Sequence, residues 1–168
     1  LLYFTSPKNY HSSLFVNQEK LKLITACRDD KYVLREYLVY KLYQLITEKS
    51  FQVRLIRICY EEKGKKTKPE YGILLEDPNH MAKRNASQLI KKFNLNPHNT
   101  NREMFLKMAI FQYLIGNTDW SIQYLHNIKL ILSNSTRGYV PVPYDFDHSG
   151  IVGAPYAKPS DELHLQSV

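Results

Sequence analysis

The run from Tyr113 to Gly150 constrains this chain more than any other. An apolar helix end, YLIG, passes into a polar loop that carries Asp119 and the pair His126-Asn127. IKLIL follows as a strand, Asn134 to Gly138 as a turn, and Tyr139 to Pro143 as a second strand with proline at its rim. The box PYDFD then delivers Asp145 and Asp147. A hairpin brings its two ends together, so the polar cluster before it and the acidic cluster after it fall near one mouth. That arrangement has no evident structural purpose.

Those residue types suit a divalent cation and a phosphate chain. Magnesium takes hard oxygen ligands, commonly one or two carboxylates, with phosphates and water completing the shell. Asp145, Asp147 and Asn127 are donors of that kind. Asp119, just past a helix end, is placed to orient or deprotonate an attacking hydroxyl. Plainer readings stand beside these. Asn117-Thr118-Asp119 also reads as turn chemistry after a helix, Asp145-Phe146-Asp147 as a turn after Pro143, and His126 as a packed or hydrogen-bonding histidine.

Upstream, Lys20 to Thr25 (KLKLIT) alternates as a half-buried strand, and Asp29 or Asp30 caps the next element. Tyr32 to Thr47 is the clearest helix, with Leu34, Tyr37, Leu38, Leu42, Leu45 and Ile46 as its apolar stripe. Phe51 to Tyr60 and Tyr71 to Leu75 form a hairpin whose charged tip is Lys63 to Pro69. The acidic-proline junction Glu76-Asp77-Pro78 stops it. Ala82 to Phe93 reads as an amphipathic helix. Thr100 and Glu103 form a capping box for a buried helix over 101–115, with Phe105, Met108, Ala109, Phe111, Leu114 and Ile115 inward, and Gly116 closes it. The order is α+β, divided into 1–78 and 79–168. Within it Lys22 is the candidate strand cation, with Lys20 on the same face competing. Glu36 is the candidate helix acid, although a helix glutamate is also simply a solvated one. Glu76 faces the junction or merely marks a strand end.

The chain has 168 residues and a net charge of +7, which favours an anionic partner. The one dense basic run, Lys63 to Lys68, reads as a solvated hairpin tip. Most of the 13 tyrosines fall in core patterns, which argues against a nucleic-acid face. Cys27 and Cys59 lack any zinc spacing and read as two buried thiols. No apolar run reaches the roughly 18–20 residues of a membrane span. The start at Leu1 without methionine reads as a piece of a longer protein, so targeting is not assessable.

On these residues the chain resembles the CotH and HipA branch of atypical protein kinase-like enzymes, the CotH side more closely. The resemblance rests on RDDKYVLREYLVYKL, YGILLED, NTDWSIQYLHN and PYDFD, over roughly residues 20–150. It implies a two-lobed protein kinase-like fold, here lacking part of the N-terminal lobe and its glycine-rich segment. It implies binding of ATP with Mg2+ (or Mn2+) and phosphorylation of a protein or small-molecule hydroxyl. It also implies Asp119 as the catalytic residue, Asn127 and Asp145 as metal ligands with Asp147 auxiliary, and Lys22 on the nucleotide; Glu36 and Glu76 stand beside them as nucleotide-site candidates on the residue reading above. Two other classes remain open: a catalytically inactive kinase-like scaffold, and a metal-dependent hydrolase using the same acids.

Overall fold

The structure, a computed structural model, describes residues 2–3, 20–25, 29–134 and 137–159. In chain order the elements are β1 (Leu2–Tyr3), β2 (Lys20–Thr25), α1 (Asp30–Ile46), β3 (Val53–Ile58), β4 (Glu61–Glu62), β5 (Lys65–Lys66) and β6 (Glu70–Leu75). There follow α2 (Pro78–Arg84), β7 (Gln88–Ile90), a 3-10 turn (Pro97–Asn99), α3 (Arg102–Leu114), β8 (Ile128–Leu132) and β9 (Val140–Pro143). The protein is mixed α+β. Among the described residues no helix is long and apolar enough to cross a membrane.

The first sheet has the order β1-β2-β6-β3, antiparallel throughout. Its centre is β6, the most apolar strand, with Gly72, Ile73, Leu74 and Leu75 all buried. Leu75 pairs with Lys22 on one side and Val53 on the other. The charged tip is a small hairpin of β4 and β5, turning at Lys63 and Gly64 with φ 50° and 77°. Two successive positive φ values suit the twist of a two-residue hairpin. The second sheet is β7-β8-β9, with Ile128 opposite Pro143.

α1 begins where Asp29 accepts a hydrogen bond from Lys31 N, while Asp30 accepts one from Tyr71 N and pins the helix to β6. Its buried face differs from the expected stripe: Val33, Glu36, Val39, Tyr40 and Tyr43 point inward. Leu38, Leu42, Leu45 and Ile46 are exposed, Leu45 by 84%. The helix is apolar on both sides, so spacing alone does not choose between them. Specific contacts do, among them Arg35 donating to Val152 O and Tyr43 meeting Phe111 with ring centroids 4.8 Å apart.

The expected helix over 82–93 is replaced by a shorter one and a strand. Asp77 caps α2 by accepting from Asn79 N, Pro78 occupies the first turn, and Asn85 and Ala86 (φ 48°) end it. Leu89 then pairs with Ile131, so edge pairing to β8 overrides local helical spacing. The start of α3 differs too. Its cap is Asn101, whose side chain accepts from Met104 N, whereas the Thr100 hydroxyl closes the preceding 3-10 turn on Pro97 O. Leu114 is 72% exposed, and Met104 and Gln112 are buried instead. Gly116 (φ 63°) follows the helix as expected. Cys59 is exposed and not a buried thiol; Cys27 lies outside the described residues.

One large apolar core joins α1, β6, α2, α3, β8, β9 and the segment from Phe146 to Ala154. A smaller core around Leu95, Met108, Ile122, Ile128 and Leu130 supports the loop after α3.

Candidate functional site

A cavity of about 550 Å³ opens beside the junction between β6 and α2. Leu75, Leu89, Ile90, Leu125 and Ile128 give it apolar walls, and Lys22, Lys129 and Tyr144 add cationic and aromatic groups. Few polar groups on an apolar wall are the usual makeup of a small-molecule site.

The acidic box is built by β9 and its exit. Tyr144 N donates to Asn127 O at 3.0 Å, which ties the box to the loop before β8. Asp145 has φ 63°, and its backbone N–H donates to the Tyr40 hydroxyl at 2.8 Å. Phe146 is fully buried, edge-on to Tyr40 (4.8 Å) and Phe111 (6.0 Å). This anchor turns the carboxylates on either side of it outward from the core. Asp145 Oδ2 receives Lys22 Nζ at 2.9 Å, and Asp147 Oδ2 receives the Tyr156 hydroxyl at 3.1 Å.

Glu36 lies beneath this box at 2% exposure, with Oε1 lacking a hydrogen-bond partner among the described residues. Burial, then the charges of Asp145 and Asp147, push its carboxyl up to about 8, against a weaker opposite pull from the Phe146 amide and Lys22. Tyr40, one helical turn on, shares that face of α1. Neither burial was expected, because the apolar stripe had been assigned to the other side of the helix.

The second cluster is folded by Asn117. Its buried side chain donates to Gln112 Oε1 and accepts from Asp119 N, while its carbonyl accepts from Trp120 Nε1. Asp119 Oδ1 meets His126 Nε2 at 2.8 Å, and Asp119 Oδ2 accepts from Asn127 Nδ2 at 3.0 Å. Ser121 and His126 exchange backbone hydrogen bonds at 3.0 Å each, so the intervening residues double back. The eight-position separation in sequence therefore closes to direct contact in space. Leu125, Asn127 and Asp145 hold positive φ values of 51°, 51° and 63°. Left-handed backbone at a bulky residue such as Leu125 is uncommon, and such conformations gather at functional loops.

The expected residues thus form two connected groups: Lys22, Glu36, Asp145 and Asp147, and Asp119 with Asn127. Glu76 stands apart in function. It lines the cavity, but its carboxylate holds Arg84 Nε and Nη2 and Gln52 N, so its side chain clamps the junction. The side chain of Lys20 lies outside the described residues. Tyr40, Tyr144 and Lys129 were missed. Tyr40 was legible as the i+4 neighbour of Glu36, and Tyr144 as the aromatic of PYDFD; Lys129 carries no local signal.

By chemistry alone, the carboxylate and amide oxygens of Asp145, Asp147 and Asn127 are the hard donors that a magnesium-type ion takes. Asn127 directs its amide nitrogen to the backbone oxygen and Oδ2 of Asp119, so its side-chain oxygen is the end not used in those bonds. Among the described residues no group of three or more His, Cys, Asp or Glu is spaced to hold a metal. An ion here would therefore rest on Asp145, Asn127 and Asp147 together with phosphate oxygens and water, the mode magnesium favours. Comparison with protein-family models, with curated proteins and with solved structures finds no match.

Proposed function

We propose that the chain is an ATP- and magnesium-dependent phosphotransferase of two-lobed, kinase-like fold, acting on a hydroxyl of a protein or small molecule. The observation that carries this reading is the Lys22–Asp145 ion pair beside an apolar cavity, tethered through the Tyr144–Asn127 bond to Asp119. The resemblance of the sequence motifs, which rests on the same residues, points the same way.

Each residue then has a task that its geometry suits. Lys22 is held by a carboxylate until an anionic ligand competes for it, and its ammonium then neutralises phosphate charge. Asp145 and Asn127, assisted by Asp147, would hold the metal. When bound, the metal supplies charge neutralisation across the phosphate oxygens. Asp119 accepts hydrogen bonds from Asn127 and His126, which fix its carboxylate. From there it orients the acceptor hydroxyl and takes its proton as the oxygen attacks. Glu36 supports the acidic box from below.

The test is ATP binding with and without Mg2+ or Mn2+, in wild type and Asp145→Ala. The expected result is metal-dependent binding that the substitution abolishes; equal binding by both proteins removes Asp145 from the metal site. Asp119→Asn is expected to bind ATP normally and lose turnover by about 10²–10⁴-fold. Full turnover in that variant assigns the base elsewhere.

A further inference from the structure

Lys129 is the cavity residue that no task above absorbs. It sits on β8, partly buried, and lines the same wall as Lys22. Its Nζ lies 4.9 Å from the centre of the Tyr144 ring, and the Nζ of Lys22 lies 5.6 Å from the centre of that same ring. The two ammonium groups therefore approach one aromatic ring, that of the residue immediately before Asp145. Their electrostatic situations differ. Lys22 is paired with Asp145 at 2.9 Å, whereas Lys129 has no carboxylate partner among the described residues.

The acids nearest the cavity do not compensate it. The Glu76 carboxylate is taken by Arg84 and Gln52, and the Asp77 carboxylate caps α2. A cation over a ring gains only modestly where water is present. A half-buried ammonium on an apolar wall, with a second one on the same ring, is stabilised far more by a bound anion. Lys91 lines the same cavity, but it is exposed and lies over Phe93 at 5.4 Å, away from Tyr144.

We propose that Lys129 is a second phosphate-contacting cation, on the same Tyr144 ring as Lys22, that makes the cavity select polyphosphate-bearing ligands over nucleosides. The inference rests on the nucleotide reading above and deepens it. Lys22 contributes only once its pairing with Asp145 is given up to a metal or ligand. Lys129 is available without that exchange, so it provides the first contact for an incoming polyphosphate. Tyr144 gives both ammonium groups a common ring and links them, through its backbone bond to Asn127, to the second cluster.

The experiment is calorimetric titration of the full chain with Mg-ATP, adenosine and tripolyphosphate, in wild type, Lys129→Met, Lys129→Arg and Lys91→Met. Melting curves confirm that each variant is folded. Lys129→Met is expected to weaken ATP and tripolyphosphate by about tenfold or more and to leave adenosine unchanged. Lys129→Arg is expected to restore most of the affinity, and Lys91→Met to change it by less than about threefold. Unchanged ATP affinity in Lys129→Met overturns the inference and leaves the nucleotide reading standing. Equal losses in Lys129→Met and Lys91→Met overturn it as well, because they would report net charge and not contact. Tripolyphosphate binding that depends on Lys129, with no binding of ATP by wild type, retains the anion site and sinks the nucleotide reading.

Discussion

Glu36 shows how a single side chain records the electrostatics of the whole site. A buried carboxyl facing two aspartates holds its proton, because ionising it would place a third negative charge in a space that water does not reach. Its folded value, about 8, lies above the ordinary 4.5, the reverse of the usual carboxylate case. The folded chain keeps a proton that the unfolded chain releases between those two values. Its contribution to stability is therefore complete below about pH 4.5 and is lost as pH rises toward 8. The slope is at most about 1.4 kcal/mol per pH unit. Glu36→Gln keeps the shape without the titration. In metal-free buffer the variant is expected to show a flatter stability profile from about pH 5 to 8 than wild type, and to be the more stable protein at pH 8. Urea unfolding across that range checks it, and parallel profiles would mean that Glu36 is ionised in the folded chain. At this scale the sequence is most legible where residue type carries chemistry. Asp119, Asn127 and Asp145 stand out by type and order alone. Lys129 does not, since a lysine in a strand reads as solvated until the ring beneath it is placed.

The elements show where local patterns stop deciding structure. β2, β3 and β6 of the first sheet, α3 and the β8–β9 hairpin were legible because alternation, length and turn residues agree there, whereas β1 lies in a stretch that reads as loop. α1 was legible as a helix but not in its orientation: Leu38, Leu42 and Leu45 are as apolar as Val33, Val39 and Tyr43, and only tertiary contact chooses between the faces. The 82–93 segment was misread because Gln88–Ile90 satisfies its backbone on β8, a partner about forty positions away in sequence. The cap of α3 is the sharpest case. Thr100 and Glu103 match the capping-box pattern, yet Asn101 is a better acceptor one position later, and Thr100 already serves the 3-10 turn. Asn101 also donates to Arg137 O, so it ties the helix start to the β8–β9 turn. Asn101→Ala is therefore expected to cost about 0.5–2 kcal/mol by loss of the cap. Chemical denaturation measures it, and a cost below about 0.3 kcal/mol would mean that the cap contributes nothing here.

The core behind the cavity contains residues from both sides of residue 78. That core does not stop at the junction. Val39, Tyr40 and Tyr43 of α1 pack with Leu75, with Met81 of α2 and with Phe111 of α3 in one cluster. Phe146 sits between Tyr40 from the first half and Phe111 from the second. The smaller core is coupled to the larger one by α3, which sends Met108 into one and Phe111 into the other, and by β8, which sends Leu130 and Ile131 to opposite cores. Elements shared in this way cannot lose one core and keep the other. The chain is therefore expected to unfold in a single transition. Trp120, the one tryptophan, packs against the smaller core, so its fluorescence reports the second half. The long helix α1 contributes much of the far-ultraviolet circular dichroism and reports the first. The two melting curves are expected to coincide. Phe146→Ala, which empties the bridging site, is expected to cost about 3–5 kcal/mol and to lower both curves together by on the order of 10 °C. On the proposed reading, Mg-ATP is expected to raise both by the same amount, because ligand binding to a cooperative fold stabilises all of it. A tryptophan transition that separates from the helical one, in wild type or with ligand, would show that the halves fold independently. It would also place the cavity at a boundary able to open without unfolding.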